Sequence, residues 1–201
     1  MLKVGITGGI GCGKSEVCRL LEKEGIPIIN ADVVARDLAN ENEQIKHELK
    51  QIFGNDVYLP DGKLDRKKVA AIIFNDEDVK QRINRIIHPH VLEYQKNELI
   101  RLEAPGKVKI AGVEAALIFE AGSQNQFDVI VVVAASRETI VQRLKSRDDL
   151  TEEEILKRIN SQLDLQEKIK RADFVIHNDG PLDELNHKVK RLFNWLNNQE
   201  R

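Results

Sequence analysis

Residues 5–17 read GITGGIGCGKSEV, and this stretch decides the fold class. Gly8, Gly13, Lys14 and Ser15 satisfy G-x-x-x-x-G-K-[ST], the pattern of a phosphate-binding loop. Glycines let successive backbone N–H groups turn inward around phosphate oxygens. A helix starting at the lysine presents its positive end to the same anion. On this reading Gly8, Gly9, Ile10, Gly11, Cys12, Gly13, Lys14, Ser15 and Glu16 surround the phosphates of a nucleotide, with ATP and Mg2+ as the form expected. Lys14 would reach the β- and γ-phosphates, and the Ser15 hydroxyl would ligate the metal.

The flanks agree with the loop. LKVGIT (2–7) is a short apolar run ending at glycines, which reads as a buried strand. From Lys14 to Glu24, Val17, Leu20 and Leu21 repeat at helical spacing, and Gly25 with Pro27 marks the stop. IPIIN (26–30) reads as a second strand, so strand–loop–helix–strand opens a parallel α/β sheet. The sequence predicts three more strands in KVKIAGV (107–113), FDVIVVVAA (127–135) and ADFVIHN (172–178).

Residues 33–104 are mostly helical, charged and polar, and read as an insertion between strands two and three. Ile45, Leu49, Ile52 and Phe53 form one apolar stripe closed by Gly54, and Val69, Ile72 and Ile73 lie on another helix. VYLPDGKLD connects the two, while Pro89 in HPH (88–90) is expected to start, end or kink a helix. Two helices, SRETIVQRLKSR and TEEEILKRINSQ, separate the last two strands. Thr151 and Glu154 give the second a capping-box spacing. An amphipathic helix carrying Leu185, Val189, Leu192 and Leu196 closes the chain.

With 201 residues and 41% hydrophobic content, the chain suits one domain with a proper core. A net charge of −2 argues against a binder driven by neutralising nucleic-acid phosphates. The two cysteines, Cys12 and Cys18, make neither a disulfide framework nor a zinc site. No apolar run is long enough for a bilayer, and because the N-terminus runs straight into the loop no secretory signal is expected. These features lead us to expect a cytoplasmic protein without membrane or nucleic-acid partners, and the near-neutral charge suits a monomer.

A phosphate loop does not choose between kinase and switch. The guanine-reading N-K-x-D and D-x-x-G tetrapeptides are both absent, and no strand ends in adjacent acids as in a motor ATPase. A small-molecule kinase needs an acceptor pocket, a base and mobile arginines. Asp32 follows strand two, where ligands bind beyond the carboxyl ends of an open sheet. It either handles the proton of an attacking hydroxyl or caps the next helix. Arg143 and Arg147 are four apart, as are Arg158 and Gln162, so each pair shares a helix face. They form either a flap over ATP or a solvated basic face.

In chain order these segments resemble the dephospho-CoA kinase family of P-loop kinases. The resemblance rests on GITGGIGCGKS, NAD (30–32) followed by Arg36, HPHV (88–91), ALIFEAG (116–122), QRLKSRDDLTEEEILKRINSQ (142–162) and EKIKRADFVIHNDG (167–180), nearly the whole chain. It implies phosphorylation of the ribose 3′-hydroxyl of dephospho-CoA by ATP with Mg2+, giving coenzyme A and ADP. It also implies an α/β three-layer P-loop NTPase fold, similar to nucleoside monophosphate kinases, with a five-stranded parallel sheet. The core would comprise 1–32, 105–136 and 171–201, a helical acceptor-binding insertion 33–104, and a lid 137–170.

By the same resemblance Asp32 matches the second acid of the family's D-A-D motif, the base, and acts with Lys14, Arg143 and Arg147. Arg36 and His88 match the acceptor pocket, with Thr7 and Glu120 on the substrate side, and Asn178 and Gly180 fall near the adenine site. His88, beside Pro89, either lines that pocket or is a packed helix-cap residue. Two positions depart from the family pattern: Asn30 stands where Asp is usual and Ala116 where Pro is usual. Asn30 keeps a hydrogen-bonding side chain but loses a charge. The rival readings are another P-loop kinase acting on a nucleoside, nucleotide or small hydroxylated metabolite, and a nucleotide-dependent binding protein without catalysis.

Overall fold

The structure is a computed structural model that describes residues 1–73, 76–104, 106–148 and 151–199. Residues 74 and 75 of the expected insertion, 105 at its border with the core, 149 and 150 of the expected lid, and 200–201 lie outside the described residues. The chain divides into two compact units, 1–30 with 99–201, and 31–98.

The first unit opens with β1 (Leu2–Gly8), α1 (Lys14–Lys23) and β2 (Ile28–Asn30). The second holds α2 (Ala31–Glu41), α3 (Glu43–Phe53), α4 (Arg66–Ile73) and most of α5 (Glu77–Glu103). The chain then returns to the first unit with β3 (Ile110–Glu114), β4 (Val129–Ala134), α6 (Arg137–Asp148) and α7 (Glu152–Asn160). It ends with α8 (Leu165–Lys170), β5 (Phe174–His177) and α9 (Leu182–Gln199).

The five strands order as β2-β3-β1-β4-β5, all parallel. Parallel strands need crossovers that cover both faces, so their sequences run apolar without alternation. Strand β4 shows this in detail. Val129, Val131 and Val133 belong to the main core with Val17 and Leu21 of α1 and Leu192 and Leu196 of α9. Ile130 and Val132 face a second cluster with Ile118, Phe119 and Ile169.

β1 lies at the centre of the sheet, its Gly8 paired with Val133. Gly8 has φ +150°, and a Cβ there would stand 2.1 Å from the Val133 carbonyl oxygen. The chain can leave the sheet here as a loop only because this residue has no side chain.

In the second unit Ala39, Ile45, Leu49, Val57, Val69 and Ile83 form a separate core. Asn42 caps α3 by accepting from the Gln44 and Ile45 N–H groups. Tyr58 and Leu64 form an antiparallel bridge across the LPDGK turn, and the Tyr58 hydroxyl donates to the Ala39 carbonyl. The expectation for Pro89 needs correction in one respect: it lies inside α5 and is neither a start nor an end. It lacks the N–H that would reach the Arg85 carbonyl, and the remaining turns of a 27-residue helix carry that loss. Among the described residues no helix is long and apolar enough to cross a membrane.

Gly8→Ala should destabilise the protein by about 1–3 kcal/mol or more, because the new methyl meets backbone that cannot move aside. Urea denaturation of both proteins measures this, with a shift in midpoint at unchanged slope as the expected outcome.

Candidate functional site

The loop between β1 and α1 turns at Gly11 and Gly13, both with positive φ, and Gly13 stands at the N-terminus of α1. The Lys14 ammonium lies over its own loop and donates to the Gly9 carbonyl at 2.9 Å and the Gly8 carbonyl at 3.3 Å. Ser15 is exposed in the first turn of α1, and its hydroxyl donates to Glu114 Oε1 at 2.7 Å. Glu16 accepts from Arg19 Nε at 2.9 Å, and that contact holds its carboxyl below the usual range.

Glu114 ends β3 and is buried, yet it had no place in the reading of the sequence. Its Oε2 accepts from Asn30 Nδ2 at 2.6 Å, so one carboxylate joins the ends of β2 and β3 to the first turn of α1. Its signal in the sequence is a single acid directly after the apolar run of strand three, in place of the adjacent acids of a motor ATPase.

A second group forms where β5 ends. Asn178 is buried and donates to the Cys12 carbonyl at 2.9 Å. Asp179 Oδ1 accepts from the Ser136 N–H at 2.6 Å, and this bond holds its carboxyl low. Gly13, Arg143, Asn178, Gly180 and Leu182 border a cavity of about 250 Å³. Arg143 Nη1 is buried there with no hydrogen-bond partner among the described residues. A buried guanidinium N–H without an acceptor suits an anionic or polar ligand at this position. Arg147 lies one turn further along α6 and is exposed.

A larger cavity of about 450 Å³ lies between Gly9, Ile10, Ser136, Ile140, Gln162 and Leu165. Gln162 follows α7, and its Oε1 accepts from the Ile10 N–H at 3.1 Å, so this segment is tied to the phosphate loop. The capping box at Thr151 and Glu154 is formed as its spacing predicts.

The substrate-side candidates fall in both units. Thr7 is fully buried, and its hydroxyl donates to the Ala116 carbonyl at 3.1 Å. Lys168, buried on α8, donates to the same carbonyl at 2.9 Å and pairs with Glu120 Oε1 at 2.7 Å. That oxygen also accepts from the Leu163 N–H at 2.9 Å. Nothing in the charged stretch QEKIKR distinguished Lys168 from its solvated neighbours.

In the second unit Asp32 is exposed in the first turn of α2. The helix already begins at Ala31, so Asp32 favours its positive end by charge and not as the residue preceding it. Arg36 is exposed and donates through Nε to Asp37 Oδ1 at 2.9 Å. His88 is half-buried on α5, and burial pushes its pKa down, which keeps the ring neutral at pH 7.

A sequence model of the dephospho-CoA kinase family matches residues 2–184. The chain belongs to the dephospho-CoA kinase family. A dephospho-CoA kinase of Chlorobaculum tepidum is 42% identical over 199 residues, covering 97% of this chain and 95% of its own. Among solved structures, a Thermus thermophilus protein is 35% identical with TM-score 0.79, covering 97% of both chains. The dephospho-CoA kinase of Campylobacter jejuni is 26% identical with TM-score 0.73, covering 99% of this chain and 98% of its own. The chain is thus an ATP-using kinase with the family's five-stranded parallel fold.

Both thiols of this dephospho-CoA kinase family member are buried. Burial raises the pKa of Cys12, partly opposed by Lys14. Burial and then the Glu114 carboxylate push Cys18 far up. The thiolate is the reactive form, so neither cysteine should react with a disulfide reagent in the folded protein at neutral pH. Absorbance of released thionitrobenzoate should appear for both cysteines only after denaturation.

Proposed function

We propose that this kinase transfers the γ-phosphoryl group of ATP to the ribose 3′-hydroxyl of dephospho-CoA, giving coenzyme A and ADP. The observation that carries the reading is a phosphate loop whose Ser15 hydroxyl meets the buried Glu114 carboxylate, in a chain of this family. The attacking hydroxyl oxygen forms a bond to the γ-phosphorus while the bond to the β–γ bridging oxygen breaks. That electron pair leaves with ADP, and the hydroxyl proton passes to Asp32.

Lys14 now donates to two neutral carbonyls of its own loop, and phosphate oxygens would be stronger, charged acceptors for the same ammonium. Arg143 and Arg147, one turn apart on α6, would neutralise charge on the nucleotide, with Arg143 beside Gly13 and Asn178. Asn178 and Gly180 would border the base. Arg36 and neutral His88 would hold the acceptor.

The hydroxyl of Ser15 and the carboxylate of Glu114 are oxygen donors of the kind a hard cation takes, so these two residues would hold Mg2+ directly or through water. The ion would neutralise charge on the β- and γ-phosphates. Ser15 can ligate through a lone pair while its hydroxyl goes on donating to Glu114 Oε1, as it does now.

Purified protein with Mg-ATP and dephospho-CoA should produce coenzyme A and ADP in equal amounts by chromatography, with little or no turnover on AMP or nucleosides. Turnover on a nucleoside and none on dephospho-CoA would overturn the substrate while leaving the fold. Lys14→Ala should lower kcat about a hundredfold or more by removing charge stabilisation from the transition state. Asp32→Asn should lower kcat by about 10²–10⁴ with ATP affinity unchanged. A near-normal rate for Asp32→Asn would rule out its role as base.

A further inference from the structure

The β2–β3 register pairs Asn30 directly with Glu114, both at the carboxyl ends of their strands. Their contact is therefore set by the sheet and not by a long side chain reaching across. Each oxygen of Glu114 has its own donor: Asn30 Nδ2 at 2.6 Å on Oε2 and Ser15 Oγ at 2.7 Å on Oε1. The carboxylate is 7% exposed, so its rotamer is held by packing as well as by these bonds. The Asn30 amide fixes Oε2 as a donor without adding charge. Among the described residues no group of three or more His, Cys, Asp or Glu side chains comes together to hold a metal. A small hard cation keeps several waters and is bound by one or two carboxylates together with substrate phosphates.

We propose that Asn30 is a positioning residue for the metal side of the site. Its amide turns Glu114 Oε1 onto Ser15 and, being uncharged, leaves one carboxylate there, so the divalent cation binds with the nucleotide and not ahead of it. This rests on the reading of Ser15 and Glu114 given above. Two devices follow from one side chain. The N–H donor sets the direction of the carboxylate, and the missing charge sets the order in which ligands enter.

The test uses Mn2+ as the probe, followed by electron paramagnetic resonance, with and without a non-hydrolysable ATP analogue. In the wild type Mn2+ should bind at least about tenfold more tightly to the nucleotide complex than to the protein alone, since phosphates supply the missing ligands. Asn30→Leu should weaken Mn2+ binding in the nucleotide complex about tenfold, the loss expected for one oriented charged ligand. Affinity for the metal-free analogue should stay within about twofold, a split that general loosening of the fold would not produce. Asn30→Asp, which keeps the shape and adds charge, should tighten Mn2+ binding to the nucleotide-free protein about tenfold.

Glu114→Gln should weaken Mn2+ binding by itself, and adding Asn30→Leu to it should change nothing further, because the two act as one unit. Unaltered Mn2+ affinity in Asn30→Leu, or full additivity with Glu114→Gln, would overturn the positioning role. Equal Mn2+ affinity with and without nucleotide in the wild type would overturn the binding order. Unaltered affinity in Glu114→Gln would overturn the metal reading and this proposal with it. If Asn30→Leu does not fold, Asn30→Ala makes the same comparison.

Discussion

The close approach of Gly8 to the Val133 carbonyl governs the site. β1 and β4 pair up to this residue, and a Cβ at Gly8 would lie 2.1 Å from the Val133 oxygen. Any other residue would push the two central strands apart or move the turn. With glycine the strands stay paired to the end of β1, and the chain leaves the sheet at one defined point. The loop then closes at Gly13, where a Cβ would lie 2.3 Å from Asn178 Nδ2. Two close approaches, one to backbone and one to a side chain, thus shape the two ends of the loop.

The loop is held by partners from elements far apart in sequence. Glu114 meets Ser15, Asn178 binds the Cys12 carbonyl, and Gln162 takes the Ile10 N–H. Such ties prepare a polar site before a ligand arrives, so less reorganisation is left for the reaction itself. The Lys168–Glu120 pair does similar work next to it, tying α8 to the segment after β3 through the Ala116 carbonyl and Leu163. A buried ammonium repays its desolvation only with such partners and additional hydrogen bonds. Removing Glu120 would leave the buried Lys168 charge without its ion pair.

How much of this was legible depends on the range of the interaction. VIVVV was readable as a strand because burial on both faces demands unbroken apolar residues, and both faces are indeed covered. Strand three was expected over 107–113 but spans Ile110–Glu114. Its start is set by pairing of Leu2 with Ile110, which no local pattern in KVKIAGV encodes. α8 was invisible because LQEKIK is short and polar, and it stands on the cap from Asp164 and the burial of Lys168. Pro89 carried a strong local signal, and the long helix around it continued through it.

By itself the sequence determined the phosphate loop, the strand–helix alternation and the family, because glycine conformation, apolar periodicity and residue spacing act over a few positions. GITGGIGCGKSEV needed no distant partner to be read as a cradle for phosphates. Only the tertiary structure decided which side chains attend that cradle. Glu114 reaches Ser15 across 99 positions and Asn178 reaches Cys12 across 166. Those contacts follow from the parallel strand order, which brings strand ends together regardless of their distance along the chain. Asn30, read in the sequence as a lost charge, meets Glu114 because β2 lies beside β3 in register.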